Sequence, residues 1–223
     1  MHVAELWRYP VKSMAGERLP EVNLTPLGLD GDRIVHVENA RGRVVTARTH
    51  PKLLCHRVVL DAQGEPLVDG RAWTDPSVTA DIEHIVGGRA RLVLDKGAGR
   101  FDILPLLVAT DGAIAAFGYN GRRLRPNLVI GGVEGLAERT WEGKSLRIGE
   151  VLIALADLRG RCVMTTFDPD TLAQDHRVLQ RIVDRFDGRL ALNAAVVRSG
   201  HVREGDRVEL IEEPNGAGVS VPW

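Results

Sequence analysis

The chain has 223 residues, of which 44% are hydrophobic and 26% charged, and its formal net charge is −1. This balance argues against a nucleic-acid-binding protein and a polybasic membrane-surface protein, since both normally carry a strong positive excess. The two cysteines, Cys55 and Cys162, lie far apart, which argues against a disulfide scaffold or a zinc site of paired thiolates. We expect a protein of a reduced, cytoplasmic compartment, built as one large domain or two small ones.

The N-terminal residues 1–10 lack the basic region and the apolar region of a signal peptide. The longest apolar runs, Ile103–Ala109 and Val151–Ala156, are shorter than the roughly 20 residues that a membrane-spanning helix needs. We therefore expect no membrane partner. The 24 glycines and the 4% of aromatic residues are typical of short strands joined by tight turns.

In the first half of the chain, apolar stretches between turn residues predict short strands. The first strand runs from His2 to Tyr9 and ends at Pro10, since proline cannot donate to a strand ladder. Further strands are predicted at residues 21–24, 34–37, 43–47, 56–60 and 66–68. The Asp-Gly turn at residues 30–31 precedes one of them, and a hairpin turn joins the last two. Residues 70–100 show only weak periodicity.

In the second half, Thr110 or Asp111 is the predicted N-cap of a short helix at Gly112–Phe117, which Gly118 ends. Strands are predicted at residues 128–130, 145–148, 151–156, 194–197 and 208–211. One longer amphipathic helix is predicted from apolar residues at helical spacing: Val178, Leu179, Ile182, Val183 and Phe186. Many short strands with few helices predict a mainly β, barrel-like α+β architecture.

The densest chemistry of the sequence lies at residues 161–171, where Arg161 and Cys162 precede a run of hydroxyls and carboxylates. An arginine next to a cysteine favours the thiolate, which is both a nucleophile and a soft metal ligand. The alternative is that Cys162 is a small buried hydrophobe. We interpret Asp168 and Asp170 as turn or helix-start residues, and Cys55 as a packed thiol beside a strand. The seven histidines lack ligand spacing.

Four stretches occur in the order found in one protein family: Tyr9–Ser13, Gly31–Arg33, Arg125–Asn127 and Arg161–Thr166. Thr46–Arg48 and Gly205–Val208 support them. From about Glu5 to Leu210 the chain resembles MOSC-domain proteins preceded by an N-terminal β-barrel domain, as in the amidoxime-reducing component of mitochondria and its bacterial relatives. The resemblance implies a β-rich MOSC N-terminal domain at residues 1–95, a β-barrel MOSC domain at 96–215 and a tail at 216–223.

The resemblance also implies a molybdenum cofactor (Mo-molybdopterin), with Cys162 as metal ligand and catalytic residue. The cofactor-binding residues would be Lys12, Ser13, Arg33, Thr110, Asp111, Arg125, Asn127, Arg161 and Cys162. Ammonium, hydroxyl and guanidinium groups suit phosphate oxygens, and an asparagine amide can both donate and accept at the edge of a pterin. Pyridoxal phosphate binding is a further property that goes with the resemblance. Alternatively, Lys12 and Arg33 are solvated surface charges and Asn127 is only a turn residue.

The activity that the resemblance implies is reduction of small N-hydroxylated compounds, such as amidoximes and N-hydroxylated bases, by two electrons from the reduced metal. The sequence has neither the cysteine quartet of an iron–sulfur domain nor a GxGxxG fingerprint. We therefore expect a separate electron donor of the ferredoxin, flavodoxin or cytochrome type. Two alternatives stay open: a cofactor carrier or sulfur-transfer protein that uses Cys162, and a β-barrel binding module in which Cys162 is structural.

The sequence departs from the family pattern in three places. Ala137–Trp141 reads Ala-Glu-Arg-Thr-Trp where many members have Ala-Glu-Asp before the tryptophan, and Leu172 stands where a glycine is usual. The segment between Thr110 and Arg125 is short. These differences bear on the shape of the pocket and on the range of substrates.

Overall fold

The computed structural model describes residues 1–212, so the predicted tail at 216–223 lies outside the described residues. Within this range the chain forms 17 strands and three α-helices, which confirms the mainly β, α+β architecture. No helix in this range is long and apolar enough to cross a membrane.

The strands, in chain order, are β1 His2–Arg8, β2 Glu17–Leu19, β3 Glu21–Thr25, β4 Gly28–Leu29, β5 Val35–Asn39, β6 Val44–Val45, β7 Val58–Leu60, β8 Pro66–Val68, β9 Arg71–Ala72, β10 Ala90–Leu94, β11 Leu106–Thr110, β12 Leu128–Gly131, β13 Ser145–Ile148, β14 Val151–Gly160, β15 Arg189–Arg198, β16 Gly200–Arg203 and β17 Val208–Ile211. The helices are α1 Pro76–Val86, α2 Asp111–Phe117 and α3 His176–Phe186. Short 3-10 helices include Pro51–Cys55, Gly121–Leu124 and Val163–Thr166.

The main sheet has eight strands in the order β17-β13-β14-β15-β11-β12-β1-β2. Its pairs are antiparallel except for β11 and β12, which run parallel. The first strand of the chain pairs with β12, with His2 opposite Gly131, and β16 pairs with β3. Strands near the N-terminus therefore pair with strands from the second half of the chain. The domain boundary expected at residue 95 stays a prediction.

Three apolar clusters support this topology. The largest lies under the eight-stranded sheet and includes Leu6, Leu128 and Leu192. A second cluster lies between α1 and the small sheets of the first half. The third joins α2 and α3, and in it Val178, Ile182 and Phe186 of the predicted amphipathic face are buried; Val183 is exposed instead.

The longest element that the sequence pattern did not predict is α1, at Pro76–Val86. Its end signals are ordinary: Asp75 accepts a hydrogen bond from the backbone N–H of Ser77 at 2.8 Å, and Gly87 ends the helix in the left-handed conformation. Aspartate at the N-cap and proline in the first turn satisfy or remove the unpaired N–H groups there. The apolar periodicity was too weak to predict the helix, although the capping residues at its two ends can be recognised in the sequence.

One local interpretation was wrong. Cys55 is exposed, at the end of a 3-10 helix, and is not a packed thiol. The N-cap of α3 is Asp175, whose carboxylate accepts from the N–H of Arg177 at 3.0 Å. Asp168 caps the preceding turn by accepting from the N–H groups of the two residues at 170 and 171, as the interpretation of this residue as a turn group predicted.

Candidate functional site

Residues from both halves of the chain line one open cavity, the cationic cavity. It encloses about 890 Å³, part of which is continuous with solvent. Seven of the nine predicted cofactor-binding residues line it: Lys12, Ser13, Arg33, Arg125, Asn127, Arg161 and Cys162. Short motifs that are far apart in sequence therefore meet at one place in the fold.

The charge of this cavity is opposite in sign to the small net charge of the chain. Among the described residues that line it, seven are cations: Lys12, Arg33, Arg48, Arg123, Arg125, Arg159 and Arg161. The same set contains one carboxylate, Asp102. Cations of this density on the walls of a cleft create a positive potential that attracts anions. The cavity suits a ligand with several negative oxygens.

Lys12 points into the structure and is not a solvated surface charge. Pro10 ends β1, and the N–H of Lys12 then donates to the carbonyl of Val35 at 2.8 Å. Its ammonium group donates to the carbonyl of Arg100 at 3.0 Å and pairs with Asp102 at 2.7 Å. The backbone and the ammonium group of Lys12 are thus both held in place at the cavity.

A fully buried carboxylate, Asp32, orders the adjacent wall. One of its oxygens accepts from the N–H of Tyr9 at 2.7 Å, and the other accepts from the Asn127 amide at 3.2 Å and pairs with the Arg33 guanidinium. Asn127 is also buried, and its Oδ1 accepts from the N–H of Leu107 at 3.2 Å. Its Nδ2 also donates to the carbonyl of Trp7 at 3.2 Å, so Asn127 joins strands β1 and β11 to the site and is more than a turn residue.

The Arg125 guanidinium lies over the face of the Tyr9 ring, 4.1 Å from its centroid. It donates to the carbonyl of Met14 at 2.8 Å. Burial lowers the pKa of Arg125 to about 10, so the group is still charged at neutral pH. Burial also raises the pKa of Tyr9 to about 12, and its hydroxyl donates to the carbonyl of Pro126 at 3.2 Å.

Three of these residues have left-handed backbones, with φ of 70° at Ser13, 54° at Arg33 and 56° at Arg125. Among the described residues only seven non-glycine positions have positive φ, so the strained backbone is concentrated at this cavity. Such conformations cost about 1 kcal/mol or more each and persist where the surroundings over-determine them. The hydrogen bonds around Asp32 and Arg125 provide those surroundings.

Cys162 follows the end of β14 and is half-buried with a free thiol. Its carbonyl accepts from the N–H of Thr165 at 3.0 Å, which opens the 3-10 helix Val163–Thr166. A hydrogen bond from Arg48 to Cys162 raises the pKa of Arg48, with a further contribution from Asp102. The Arg48 guanidinium is therefore close to the Cys162 sulfur.

Arg161, which directly precedes Cys162 in the chain, places a second guanidinium near the thiol. Its guanidinium donates to the carbonyl of Leu124 at 2.6 Å, and burial lowers its pKa to about 10 while the nearby Cys162 raises it. The described residues contain no group of three or more His, Cys, Asp or Glu side chains that could hold a metal ion.

Asp102 lies between three cations. Its carboxylate pairs with Lys12 at 2.7 Å, Arg48 at 2.6 Å and Arg159 at 3.5 Å. Burial acts to raise its pKa, but the hydrogen bonds and charges of Lys12 and Arg48 outweigh it and hold the pKa of Asp102 at about 2. The carboxylate is ionised at neutral pH, and it holds the three cations toward one point.

Two family models match the chain: the MOSC N-terminal beta barrel domain over residues 1–85 and the MOSC domain over residues 115–209. The chain belongs to the MOSC-domain proteins. It is 27% identical to mitochondrial amidoxime-reducing component 1 of Homo sapiens, with 76% of this chain and 67% of the relative covered. Mitochondrial amidoxime reducing component 2 of Macaca fascicularis is 26% identical, with 78% and 69% covered.

The fold of this MOSC protein is shared with a solved structure. The YUAD protein from Bacillus subtilis superposes with a TM-score of 0.54 at 12% sequence identity, and the match covers 96% of each chain. At this identity the likeness concerns the fold alone.

Thr110 and Asp111 are not brought into the cationic cavity of this MOSC protein. The Thr110 hydroxyl accepts from the N–H of Ala113 at 3.1 Å and so caps α2. The Asp111 carboxylate accepts from the N–H groups of Gly132 and Val133 at 2.7 and 3.0 Å. A threonine and an aspartate between a strand and a helix are well suited to satisfy free N–H groups, and both side chains serve that purpose here.

Four residues of the cavity were missed by the sequence reasoning as site residues: Arg48, Asp102, Arg123 and Arg159. Arg159 had a usable signal, because residues two apart in extended chain share a face, and it stands two positions before Arg161. Arg48 belongs to the supporting motif Thr46–Arg48. Asp102 and Arg123 had no such signal.

The residues present fit an anionic, oxygen-rich cofactor. The Nε–H groups of Arg123 and Arg161 are buried and have no hydrogen-bond partner. Buried donors without partners cost about 1–3 kcal/mol each, and a bound anion in the cavity would reduce that cost. Together with the excess of cations, these donors match a group that carries phosphate and pterin oxygens.

Proposed function

We propose that this MOSC protein is a molybdenum-cofactor oxidoreductase that reduces small N-hydroxylated compounds, such as amidoximes, with electrons from a separate partner. The observation that carries the proposal is one free thiol, Cys162, which lies near Arg48 and Arg161 in a cavity lined by seven cations. The printed names of the mammalian relatives, which are amidoxime-reducing components, support the choice of reaction.

Three sets of residues would bind different parts of the cofactor. Lys12, Ser13 and Arg33 would hold its phosphate, because an ammonium, a hydroxyl and a guanidinium are strong donors to phosphate oxygens. Arg125 and Asn127 would hold the pterin. Cys162 would ligate the metal, since a thiolate is a suitable soft ligand. The cofactor, when bound, would supply the two electrons for reduction of the N–OH group.

The chain's own residues would orient the reactants and manage charge. Reduction of an N–OH group to N–H and water consumes two electrons and two protons. Asp102, with its pKa near 2, is ionised and cannot donate a proton at neutral pH; its part is to hold the cations. Because the cavity is open to solvent, the protons can come from water, and the product can diffuse out of the cavity.

The electron donor would be a separate ferredoxin, flavodoxin or cytochrome-type system, since the sequence has neither an iron–sulfur quartet nor a dinucleotide fingerprint. The open mouth of the cavity would allow such a protein to approach the site. The cytoplasmic location, expected from the two separated cysteines, and the pyridoxal phosphate binding, which goes with the resemblance, stay predictions.

The test is to purify the protein from cells that make molybdenum cofactor, measure its molybdenum by mass spectrometry, and assay benzamidoxime reduction with reduced methyl viologen. We expect stoichiometric metal and turnover in the wild type, and loss of turnover in Cys162→Ser. Cys55→Ser is the matched control, because Cys55 is exposed and does not line the cationic cavity. A Cys162→Ser protein that keeps both metal and activity would show that the ligand assignment is wrong.

A cofactor carrier or sulfur-transfer protein is the second candidate, and the half-buried Cys162 in an open cavity favours it, because a partner protein could reach the sulfur. Metal-loaded protein without amidoxime reduction would favour the carrier. Thiocyanate formed when cyanide removes the outer sulfur of a Cys162 persulfide would favour sulfur transfer.

A further inference from the structure

A second cavity, the aromatic cavity, lies directly beside the cationic cavity. It encloses about 490 Å³, part of which is open to solvent. Arg123, Arg125 and Met164 line both cavities and form the wall between them. Met164 stands two residues after Cys162, in the 3-10 helix whose N-cap is Cys162, so this wall lies close to the thiol.

Flat rings and apolar side chains make up most of the remaining lining of the aromatic cavity. They are Trp7, Tyr9, Leu54, Phe167 and Pro169. At one side the wall is glycine: a Cβ added at Gly16 would lie 2.2 Å from the carbonyl oxygen of Arg8 and 2.5 Å from the Tyr9 ring. Gly16 therefore packs directly against strand β1 and the Tyr9 ring, and a larger residue would not fit there.

Guanidinium groups lie over two of these rings. Arg125 is 4.1 Å from the Tyr9 centroid, and Arg122 is 6.0 Å from the Trp7 centroid. The Trp7 indole N–H is already bonded to Glu5 at 2.6 Å, so the ring presents only its apolar surface to the cavity. Aromatic faces favour stacked apolar rings, and the arginines would repel a cationic substituent on such a ring and attract an acidic one.

We propose that the aromatic cavity binds the aryl part of the substrate, and that it prefers rings that are neutral or carry an acidic group over rings that carry a cation. The inference rests on the proposed function, in that the N–OH group would lie in the cationic cavity near Cys162. The flexible thioether of Met164, on the shared wall, would adjust to the ring.

The first measurement compares an aryl substrate with a small one on the molybdenum-loaded protein. In Phe167→Ala, kcat/KM for benzamidoxime should fall by about 10-fold, since a lost ring contact is worth on that order. The value for acetamidoxime should stay within about two-fold, because a methyl group does not reach the rings. Leu94→Ala, at an exposed leucine of β10, is the control and should change neither.

The charge preference is tested with substituted rings. Wild-type kcat/KM should be higher for 4-carboxybenzamidoxime than for 4-trimethylammonio-benzamidoxime. Arg122→Gln should reduce that ratio by about three-fold, a change typical of a partly exposed charge. Equal rates for the two substrates in the wild type would overturn the charge preference.

Calorimetric binding of benzamidoxime to the metal-free protein separates this inference from the proposed function. If neither amidoxime is reduced but binding is present and weakened in Phe167→Ala, the reductase proposal fails and the aryl site stands. If Phe167→Ala lowers kcat/KM equally for benzamidoxime and acetamidoxime, or leaves aryl binding unchanged, the aryl site is wrong and the reductase stands. Loss of molybdenum from Phe167→Ala would assign the aromatic cavity to the cofactor and overturn the inference.

Discussion

The cationic cavity has two walls that are built in different ways. The N-terminal wall, formed by Lys12, Ser13 and Arg33, comes from turns, and two of its three residues have left-handed backbones. The C-terminal wall, formed by Arg159, Arg161, Cys162 and Met164, continues strand β14 into a 3-10 helix, and Cys162 has an ordinary extended φ of −134°. Turns hold one wall, and sheet pairing positions the other.

This difference decides which residues each wall depends on. The N-terminal wall has no long ladder beneath it, so its strained turns rely on the buried carboxylate of Asp32. The C-terminal wall is fixed by the pairing of β14 with β15, and its side chains add to a backbone that the sheet already holds. Asp102 connects the walls by pairing with Lys12 on one and Arg159 on the other.

The largest expected effect is on the N-terminal wall. Asp32→Ala would leave the Tyr9 N–H without its acceptor and the Arg33 guanidinium without its partner. Removing one member of a buried charged network costs roughly 3–5 kcal/mol, and urea unfolding measures it. Asp30→Ala, two residues away and exposed, should stay within about 0.5 kcal/mol. A cost below about 1 kcal/mol for Asp32→Ala would contradict the idea that this wall depends on its carboxylate.

The link between the walls should be sensitive to acid. The pKa of Asp102 is lowered to about 2 from 3.8, so its contribution to stability is present above pH 3.8 and is lost as the pH falls through about 2. For a partly exposed side chain we expect on the order of 1–2 kcal/mol. Between these pH values, the free energy of unfolding of the wild type should fall by that much more than in Asp102→Asn. Parallel curves would show that Asp102 does not join the walls energetically.

A smaller expected effect, on pyrophosphate affinity, tests which of the two walls binds the phosphate. If the N-terminal wall holds the phosphate, Lys12→Met should weaken pyrophosphate binding to the metal-free protein by about 10-fold, as expected for one charge-assisted contact. Arg159→Met, on the C-terminal wall, should weaken it by only about two- to three-fold. Calorimetry at fixed salt measures both. The reverse order would place the phosphate on the C-terminal wall.

The smallest effect concerns the loop that follows the C-terminal wall. Leu172 has φ of 58°, a conformation that glycine adopts without strain, and the family pattern has glycine here. Leu172→Gly should stabilise the protein by about 0.5–1 kcal/mol, after the entropic cost of glycine in the unfolded chain. Leu172→Ala relieves no backbone strain, so it should give no gain. Thermal unfolding of the three proteins compares them, and an equal gain in both variants would refute the backbone explanation.

Much of the fold could be predicted because local patterns decide it. The face of α3 follows from the spacing of Val178, Ile182 and Phe186, and the start of α2 follows from the capping threonine, Thr110. The helix α1 could not be predicted from its weak periodicity, since only Val78 and Ile82 of its side chains are fully buried. Strand β16 was missed because its pairing with β3 depends on residues about 180 positions away.

The site was predictable where it consists of short motifs, and unpredictable where it depends on tertiary charge. Lys12, Arg33 and Cys162 carry recognisable neighbours and reach the cavity together. Asp102 lies in a loop without periodicity, and its role arises only when cations from three separate segments surround it. Asp111 shows the converse case: a polar residue at a suggestive position lies outside the cavity, and its carboxylate accepts from the N–H groups of Gly132 and Val133.

The pairing of β1 has a consequence for how the protein is made. β1 can form its ladder with β2 early, since Leu6 lies opposite Leu19, but its other edge waits for β12, opposite His2 at residue 131. During synthesis the ribosome must therefore add more than half of the chain before that edge is covered. An uncovered strand edge presents unpaired N–H and C=O groups that can pair with other chains. Slow translation of the second half would therefore favour aggregation of this protein.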